Sequence, residues 1–251
     1  MVEQEIRVTT RDGQMTTFVA HPDREQPFPV AVLFMDGIGY RDQIKENARR
    51  LAADGYYLVA PDLFYRSGEK LAFDPSQMGE EGFRERLMSI IVTVTPEAVV
   101  ADTEGIFAAI ADDPAASAGP KVCVGYCLGA RMALHAAAAM PDEFVAAACI
   151  HPGALVTDQP DSPHHDLATV RGELYVAFAE NDQSATPEVV ERFRTELEQR
   201  GVRGVVERLP ATAHGFAMAD LPVYDHDAAE RHFERTLELW RRNLAAEAVE
   251  A

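Results

Sequence analysis

The chain has 251 residues, of which 47% are hydrophobic, and its 41 acidic and 23 basic side chains give a formal net charge of −18. This length and composition are enough to bury one sizeable core, so we expect a single domain over residues 1–251. No basic cluster interrupts the negative charge, which would repel phosphate backbones and anionic membranes, so neither nucleic acid nor a membrane is an expected partner.

The N-terminal sequence indicates the cellular location, and the cysteine spacing and the amino-acid usage give further expectations. MVEQEIRVTT lacks the charged and then apolar pattern of a signal peptide, and no stretch approaches the length of a membrane span, so we expect a cytoplasmic protein. The three cysteines form no Cys-x-x-Cys pair, which argues against a disulfide framework and a zinc ribbon. The excess of arginine over lysine and the abundant alanine indicate a bacterial origin.

The first half of the chain predicts a hairpin followed by a β-α-β unit. Two strand-like runs flank Arg11-Asp12-Gly13, whose Asp-Gly pair is a turn signal. Residues 29–35 form a continuous apolar run typical of a strand buried on both faces. Residues 40–55 predict a helix that ends at a glycine, and residues 56–63 predict the next strand. Residues 66–94 have no clear period and predict a loop or short helices, which could form a cap or a substrate-access segment.

The second half predicts a regular alternation of strands and helices. Thr95-Pro96-Glu97 is a favourable start for a helix that runs to about Ala111. The patterns that follow predict strands at 121–126, 144–150, 173–180 and 204–209, and helices at 128–140, 187–201 and about 227–244. This alternation predicts an α/β fold with a mostly parallel, doubly wound sheet and helices on both faces.

Cys127 lies where the strand at 121–126 turns into a helix. In such sheets reactive groups collect at the carboxyl ends of strands, and a nucleophile on this tight turn needs tiny residues on both sides, here Gly125 and Gly129. The helix N-terminus favours a thiolate, and the amide of Leu128 is placed to bind an oxyanion. The pattern G-x-C-x-G is weak by itself, so a small core cysteine is the alternative.

A thiol nucleophile needs a base and a group that orients the base, and both are predicted at the same sheet edge. His214 follows the strand at 204–209, and Asp182 follows the strand at 173–180. Glu180 is the rival carboxylate, but Asp182 lies past the strand end, where it can reach a histidine. Other histidines are less suitable as the base: His21, His135, His151, His226 and His232. The order nucleophile, acid, histidine is that of α/β-hydrolases.

These motifs resemble the dienelactone hydrolase (carboxymethylenebutenolidase) family of α/β-hydrolases. The resemblance rests on Gly125-Tyr126-Cys127-Leu128-Gly129, the Asp182 loop and HGFAMADLPVYDHDAAERHFERTLELW, which begins at His214, and it extends over about residues 5–243. It implies an α/β-hydrolase fold with a core at about 5–243. It also implies a catalytic triad of Cys127, Asp182 and His214, with Gly37 and Leu128 as oxyanion donors.

The resemblance implies further site residues, and at two of these positions this sequence differs from the family pattern. The family places a carboxylate, usually glutamate, after the third strand to help deprotonate the thiol. Here it is Asp36, one methylene shorter, which could instead cap a turn or the following helix. Family members that hydrolyse dienelactone hold the substrate carboxylate with arginines, one of them at the position of Met218, which cannot bind a carboxylate. Arg84 or Arg86 could supply a cation. The substrate-binding candidates are Ile38, Tyr126, His151, Phe216 and Met218.

The remaining features predict little chemistry. DSPHHD at 161–166 has two adjacent histidines among carboxylates, but neighbouring histidines rarely point at one ion, so we expect no metal and no cofactor. Cys123 and Cys149 are predicted to lie in the core, although a sulfenate at Cys127 is conceivable.

The expected protein is therefore a cysteine-dependent hydrolase of a small-molecule lactone or activated ester, as a monomer or homodimer. Two alternatives are a thioesterase or other acyl hydrolase on the same fold, and a non-catalytic small-molecule binder.

Overall fold

The computed structural model describes residues 1–159 and 162–250, except for the side chains of 247–250. The chain divides into two compact units, residues 1–119 and 120–251. That the whole chain forms a single domain stays a prediction. None of the described helices is both long and apolar enough to cross a bilayer.

The first unit contains four strands in the spatial order β1, β2, β4, β3. They are β1 (Val2–Thr10), β2 (Gly13–His21), β3 (Val30–Phe34) and β4 (Tyr57–Pro61). Thr10 lies opposite Gly13, so β1 and β2 form the predicted hairpin around a two-residue loop. β2 pairs with β4 antiparallel and β3 with β4 parallel. All residues of β3 and β4 are buried, as their apolar runs predict.

Three helices belong to this unit: α1 (Asp42–Ala53), α2 (Phe83–Ile91) and α3 (Pro96–Ile110). The predicted start of α3 is confirmed, because the Thr95 hydroxyl accepts a hydrogen bond from the Ala98 amide at 3.3 Å. The segment without a clear period holds a 3₁₀ turn (Pro75–Gln77) and α2, of which only Phe83 is buried. The short-helix alternative for this segment is therefore the observed one.

The second unit contains four parallel strands in the order β5, β6, β7, β8. They are β5 (Lys121–Tyr126), β6 (Phe144–Ile150), β7 (Glu173–Asn181) and β8 (Gly204–Ala213). The helices are α4 (Leu128–Ala139), α5 (Pro187–Gln199) and α6 (His226–Glu250), with a 3₁₀ helix at Pro163–Ala168. The predicted α/β class with mostly parallel strands is confirmed. β8 and α6 extend beyond the predicted ends at residues 209 and 244.

Large side chains of α6 and of the strands form the core of this unit. Trp240 on α6 is fully buried, and its indole N–H donates to the carbonyl of Cys123 on β5 at 3.3 Å. Cys123 and Cys149 are both fully buried, as predicted. Burial raises the pKa of both thiols, that of Cys149 to about 12, so these cysteines remain neutral thiols.

Candidate active site

The turn between β5 and α4 holds Cys127 in a conformation that is rare for residues with a side chain. Its backbone has φ 53° and ψ −109°, and such strain is typical of functional positions. A Cβ placed on Gly125 would lie 1.9 Å from the carbonyl oxygen of Gly129, so the turn closes only with glycine at that position. The Cys127 amide donates to the carbonyl of Ile150 at 3.0 Å, which fixes the turn to β6.

The structure brings Cys127, His214 and Asp182 together. His214 Nε2 is 3.0 Å from Cys127 Sγ, and His214 Nδ1 is 2.6 Å from Asp182 Oδ2. β7 ends one residue before Asp182 and β8 ends one residue before His214, so both side chains emerge where parallel strands end at the same edge. Each nitrogen of the imidazole therefore has a partner, a thiol on one side and a carboxylate on the other.

Asp182 is held by a residue that the sequence analysis did not identify. Asp182 Oδ1 accepts from the Ser184 amide at 2.8 Å and from its hydroxyl at 2.7 Å. An aspartate two residues before a serine in a loop is a typical Asx-turn pattern. This pattern could have identified Ser184 from the sequence. The rival Glu180 instead accepts from the Ala211 amide at 2.8 Å. Asp182 is thus the carboxylate at His214.

Electrostatics favours a positively charged His214. Burial alone would lower its pKa, but the negative charge of the Cys127 thiolate and the hydrogen bond to Asp182 outweigh burial and raise the pKa to about 11. Burial opposes ionisation of Asp182 too, yet its bond to His214 and the charge of that imidazolium lower the pKa of the carboxyl. The arrangement therefore favours an imidazolium at His214, between the sulfur of Cys127 and the carboxylate of Asp182.

We expect His214 to stay protonated from about pH 6 to about pH 9 in the wild-type protein. In Cys127→Ser the neutral hydroxyl removes the negative partner, so the pKa of His214 should fall and the proton should be lost at lower pH. NMR titration of the His214 Cε1–H resonance measures both midpoints. A wild-type midpoint equal to that of Cys127→Ser would contradict the thiolate–imidazolium pair.

The sequence analysis named the amides of Leu128 and Gly37 as oxyanion donors, and both roles stay predictions. Leu128 is the first residue of α4, where helix N–H groups have no partner within the helix. Neither its amide nor that of Gly37, in the first unit, donates to an acceptor among residues 1–159 and 162–250. The helix N-terminus adds positive potential at Leu128.

The other predicted residues of the second unit are buried, and His151 lies beside the base His214. Tyr126, His151, Phe216 and Met218 are each at most 1% exposed. The His151 ring centroid lies 5.4 Å from that of His214 and 5.2 Å from that of Phe216. Burial, followed by the charge of His214, holds the pKa of His151 well below its usual value, so His151 is neutral. Their roles in substrate binding stay predictions.

In the first unit, Asp36 and Ile38 lie buried in the loop after β3. Both carboxylate oxygens of Asp36 accept from Arg41, a residue that the sequence analysis missed because no periodicity marks a loop contact. The arginines considered as substrate-binding cations, Arg84 and Arg86, are exposed on α2.

His164, the first histidine of the predicted pair at 164–165, has hydrogen-bond partners within the protein. His164 Nδ1 is 2.7 Å from the Ser162 hydroxyl, and Asp166 bonds to His135. Asp161, the first carboxylate of this motif, lies outside the described residues. In the part of the chain that the structure describes, no group of three or more histidine, cysteine, aspartate or glutamate side chains could hold a metal ion.

Comparison with known proteins identifies the family. The family model described as "Dienelactone hydrolase family" matches residues 15–244. The chain is 27% identical over 236 residues to "Putative carboxymethylenebutenolidase" of Salmonella typhi, covering 92% of this chain and 84% of that protein. It is 26% identical over 230 residues to "Carboxymethylenebutenolidase" of Pseudomonas sp. strain P51, covering 85% and 84%.

The fold is shared with a solved structure, "Putative Dienelactone Hydrolase from Klebsiella pneumoniae", at a TM-score of 0.84 and 21% identity, covering 96% of this chain and 98% of that one. The chain therefore belongs to the dienelactone hydrolase family, has the α/β-hydrolase fold, and is a hydrolase that acts on ester bonds.

Proposed function

We propose that the protein hydrolyses lactones or activated esters with Cys127 as nucleophile, His214 as acid and base, and Asp182 as the group that orients His214. One observation carries the proposal: the imidazole of His214 lies between Cys127 Sγ at 3.0 Å and Asp182 Oδ2 at 2.6 Å. This is the arrangement that nucleophilic acyl transfer requires. The strained turn at Cys127 and the free amide of Leu128 support the same role.

The first half of the reaction forms a thioester. The Cys127 thiolate attacks the carbonyl carbon, an S–C bond forms, and the carbonyl electron pair moves to oxygen. The Leu128 amide donates to this oxyanion. The intermediate then collapses, the C–O bond to the leaving group breaks, and the leaving oxygen takes the proton of the His214 imidazolium.

The second half releases the acid. Neutral His214 takes a proton from water, whose oxygen attacks the thioester carbonyl. The C–S bond breaks, and the thiolate returns beside an imidazolium stabilised by Asp182. The carboxylic acid product carries the oxygen of water, and the enzyme regains its starting charge.

The leaving group decides which substrates suit this chemistry. A thiolate forms a thioester readily when an enolate or aryl oxide departs, whereas a poor alkoxide leaving group favours return of the thiol. Enol-lactones and aryl esters are therefore the proposed small-molecule substrates, and the curated relative named carboxymethylenebutenolidase supports the lactone. Met218 is fully buried and uncharged, so this position supplies no cation for an anionic substrate.

Trapping the acyl-enzyme tests the proposal. The protein is mixed with an aryl ester or an enol-lactone, quenched in acid within milliseconds to seconds, digested with trypsin, and analysed by mass spectrometry. The tryptic peptide 122–131 contains both Cys123 and Cys127, so fragment ions must locate the adduct. We expect the acyl group on Cys127 alone. Product formation without an adduct, or with an adduct only on Cys123, would contradict the proposal.

A further inference from the structure

The two oxygens of the Asp182 carboxylate have different partners. Oδ2 is 2.6 Å from His214 Nδ1, whereas Oδ1 accepts from the Ser184 hydroxyl at 2.7 Å and from the Ser184 amide at 2.8 Å. The side chain of Asp182 is only 7% exposed, so the carboxylate is largely shielded from solvent. Because Ser184 supplies two donors to Oδ1, Oδ2 is the oxygen that faces the base.

The turn that carries Ser184 is held independently of its hydroxyl. The Ala185 amide donates to the carbonyl of Asp182 at 3.1 Å, and Ala185 is fully buried. At the start of α5 the Thr186 hydroxyl accepts from the Val189 amide at 3.4 Å and caps the helix. These contacts fix the backbone between β7 and α5 without the Ser184 hydroxyl. The effect of this hydroxyl is therefore on the carboxylate.

The Ser184 hydroxyl restrains a torsion that the backbone does not fix. The χ2 angle of an aspartate, which rotates its carboxyl group, has only broad, roughly two-fold preferences. The contact with His214 holds one oxygen, and the bonds from Ser184 hold the other. Hydrogen bonds to an ionised acceptor are stronger than those between neutral groups. Burial opposes ionisation of Asp182, but the bonds from His214 and Ser184 lower its pKa. The hydroxyl thus favours a charged carboxylate in one orientation.

We propose that Ser184 is a positioning residue for hydrolysis. Its hydroxyl holds the Asp182 carboxylate in the orientation that keeps the imidazole of His214 directed at the Cys127 sulfur. Ser184 acts through Asp182 and not on the reacting atoms. This inference rests on the proposed function, in which Asp182 orients His214.

A double-mutant cycle tests whether Ser184 acts through Asp182. Ser184→Ala, Asp182→Ala and the double variant are compared with wild type, and Ser184→Thr keeps the hydroxyl. The matched control is Gln183→Ala, which changes an exposed neighbour in the same turn. Aryl-ester hydrolysis gives kcat and KM, and thermal unfolding gives Tm. Proton NMR at neutral pH follows the His214 Nδ1 proton, whose resonance a hydrogen bond to Asp182 shifts downfield.

In Ser184→Ala we expect kcat to fall about 3- to 10-fold, with KM within about twofold of wild type, because one of two donors to Asp182 Oδ1 is lost. The Nδ1 proton resonance should move upfield, and Tm should fall by no more than about 4 °C. Ser184→Thr should recover most of kcat. Asp182→Ala should lower kcat about 100-fold or more, and adding Ser184→Ala to it should change kcat by less than about twofold. Gln183→Ala should match wild type.

Two results would overturn the inference. Wild-type kcat in Ser184→Ala, beside a large loss in Asp182→Ala, would show that the hydroxyl does not position the carboxylate. An equal loss from Ser184→Ala with and without the Asp182 carboxylate would show that Ser184 acts elsewhere. If Ser184→Ala fails to fold, Ser184→Gly takes its place in the cycle. Wild-type activity of Asp182→Ala, or no acyl adduct on wild-type Cys127, would instead remove the proposed function, so the two failures are distinguishable.

Discussion

Replacing Cys127 by alanine should lower kcat/KM for aryl esters by about 10³-fold or more, which corresponds to about 4 kcal/mol of transition-state stabilisation. Without sulfur no thioester can form, and His214, 3.0 Å from Sγ in the wild type, has no nucleophile to activate. Only the amide donors and substrate binding would remain to assist attack by water. Steady-state hydrolysis of the same ester by both proteins measures the difference.

Cys149→Ala is the matched control for this prediction. It makes the same chemical change in β6, where the thiol is fully buried in the core. We expect nearly full activity and a loss of about 1 kcal/mol or less in the free energy of unfolding, since a single sulfur atom is removed. Equal turnover by wild type and Cys127→Ala would exclude Cys127 as the nucleophile.

Gly125→Ala should both destabilise the protein and strongly lower its activity. The added Cβ would lie 1.9 Å from the Gly129 carbonyl oxygen and 2.6 Å from the Ala130 amide nitrogen, both of them backbone atoms that no rotamer change can move. Overpacking in cores costs about 1–3 kcal/mol, and we expect at least the upper end of this range because the turn itself must open. Opening the turn displaces Cys127, so kcat/KM should fall about 100-fold or more.

Urea unfolding and aryl-ester kinetics measure the two effects of Gly125→Ala. Gly79→Ala provides the control, because a Cβ at Gly79 would meet no atom within 4 Å. The control should keep wild-type activity and stability to within about 0.5 kcal/mol. If Gly125→Ala behaved like Gly79→Ala, the close approach at the turn would not be a requirement for the site.

The central strands and the Cys127 turn could be predicted from the sequence because their signals are local. Continuous apolar runs mark β3 to β6, and the paired glycines mark the turn. The choice of Asp182 over Glu180 followed from the position of a strand end. The contact of Asp36 with Arg41 had no such signal, since it depends on the path of an irregular loop.

Two other elements, α2 and β8, were not fully predicted from the sequence, because their extent depends on contacts with other parts of the chain. α2 has apolar residues at 83, 87, 90 and 91, spaced as on one face of a helix, but it is only nine residues long and only Phe83 is buried. β8 continues to Ala213 through a register shift against β7, which lengthens the strand beyond its apolar part. Such irregularities follow from pairing with the neighbouring strand and not from side-chain pattern.

The hydrogen bond from Trp240 to Cys123 gives this protein a built-in optical reporter. Trp240 is the only tryptophan in the chain, and its indole is bonded to the strand that carries the nucleophile at its end. Indole emission depends on the polarity and hydrogen bonding around the ring, so a change in fluorescence during unfolding reports the separation of α6 from β5. The integrity of the strand beneath Cys127 can therefore be followed in every variant discussed above without attaching a label.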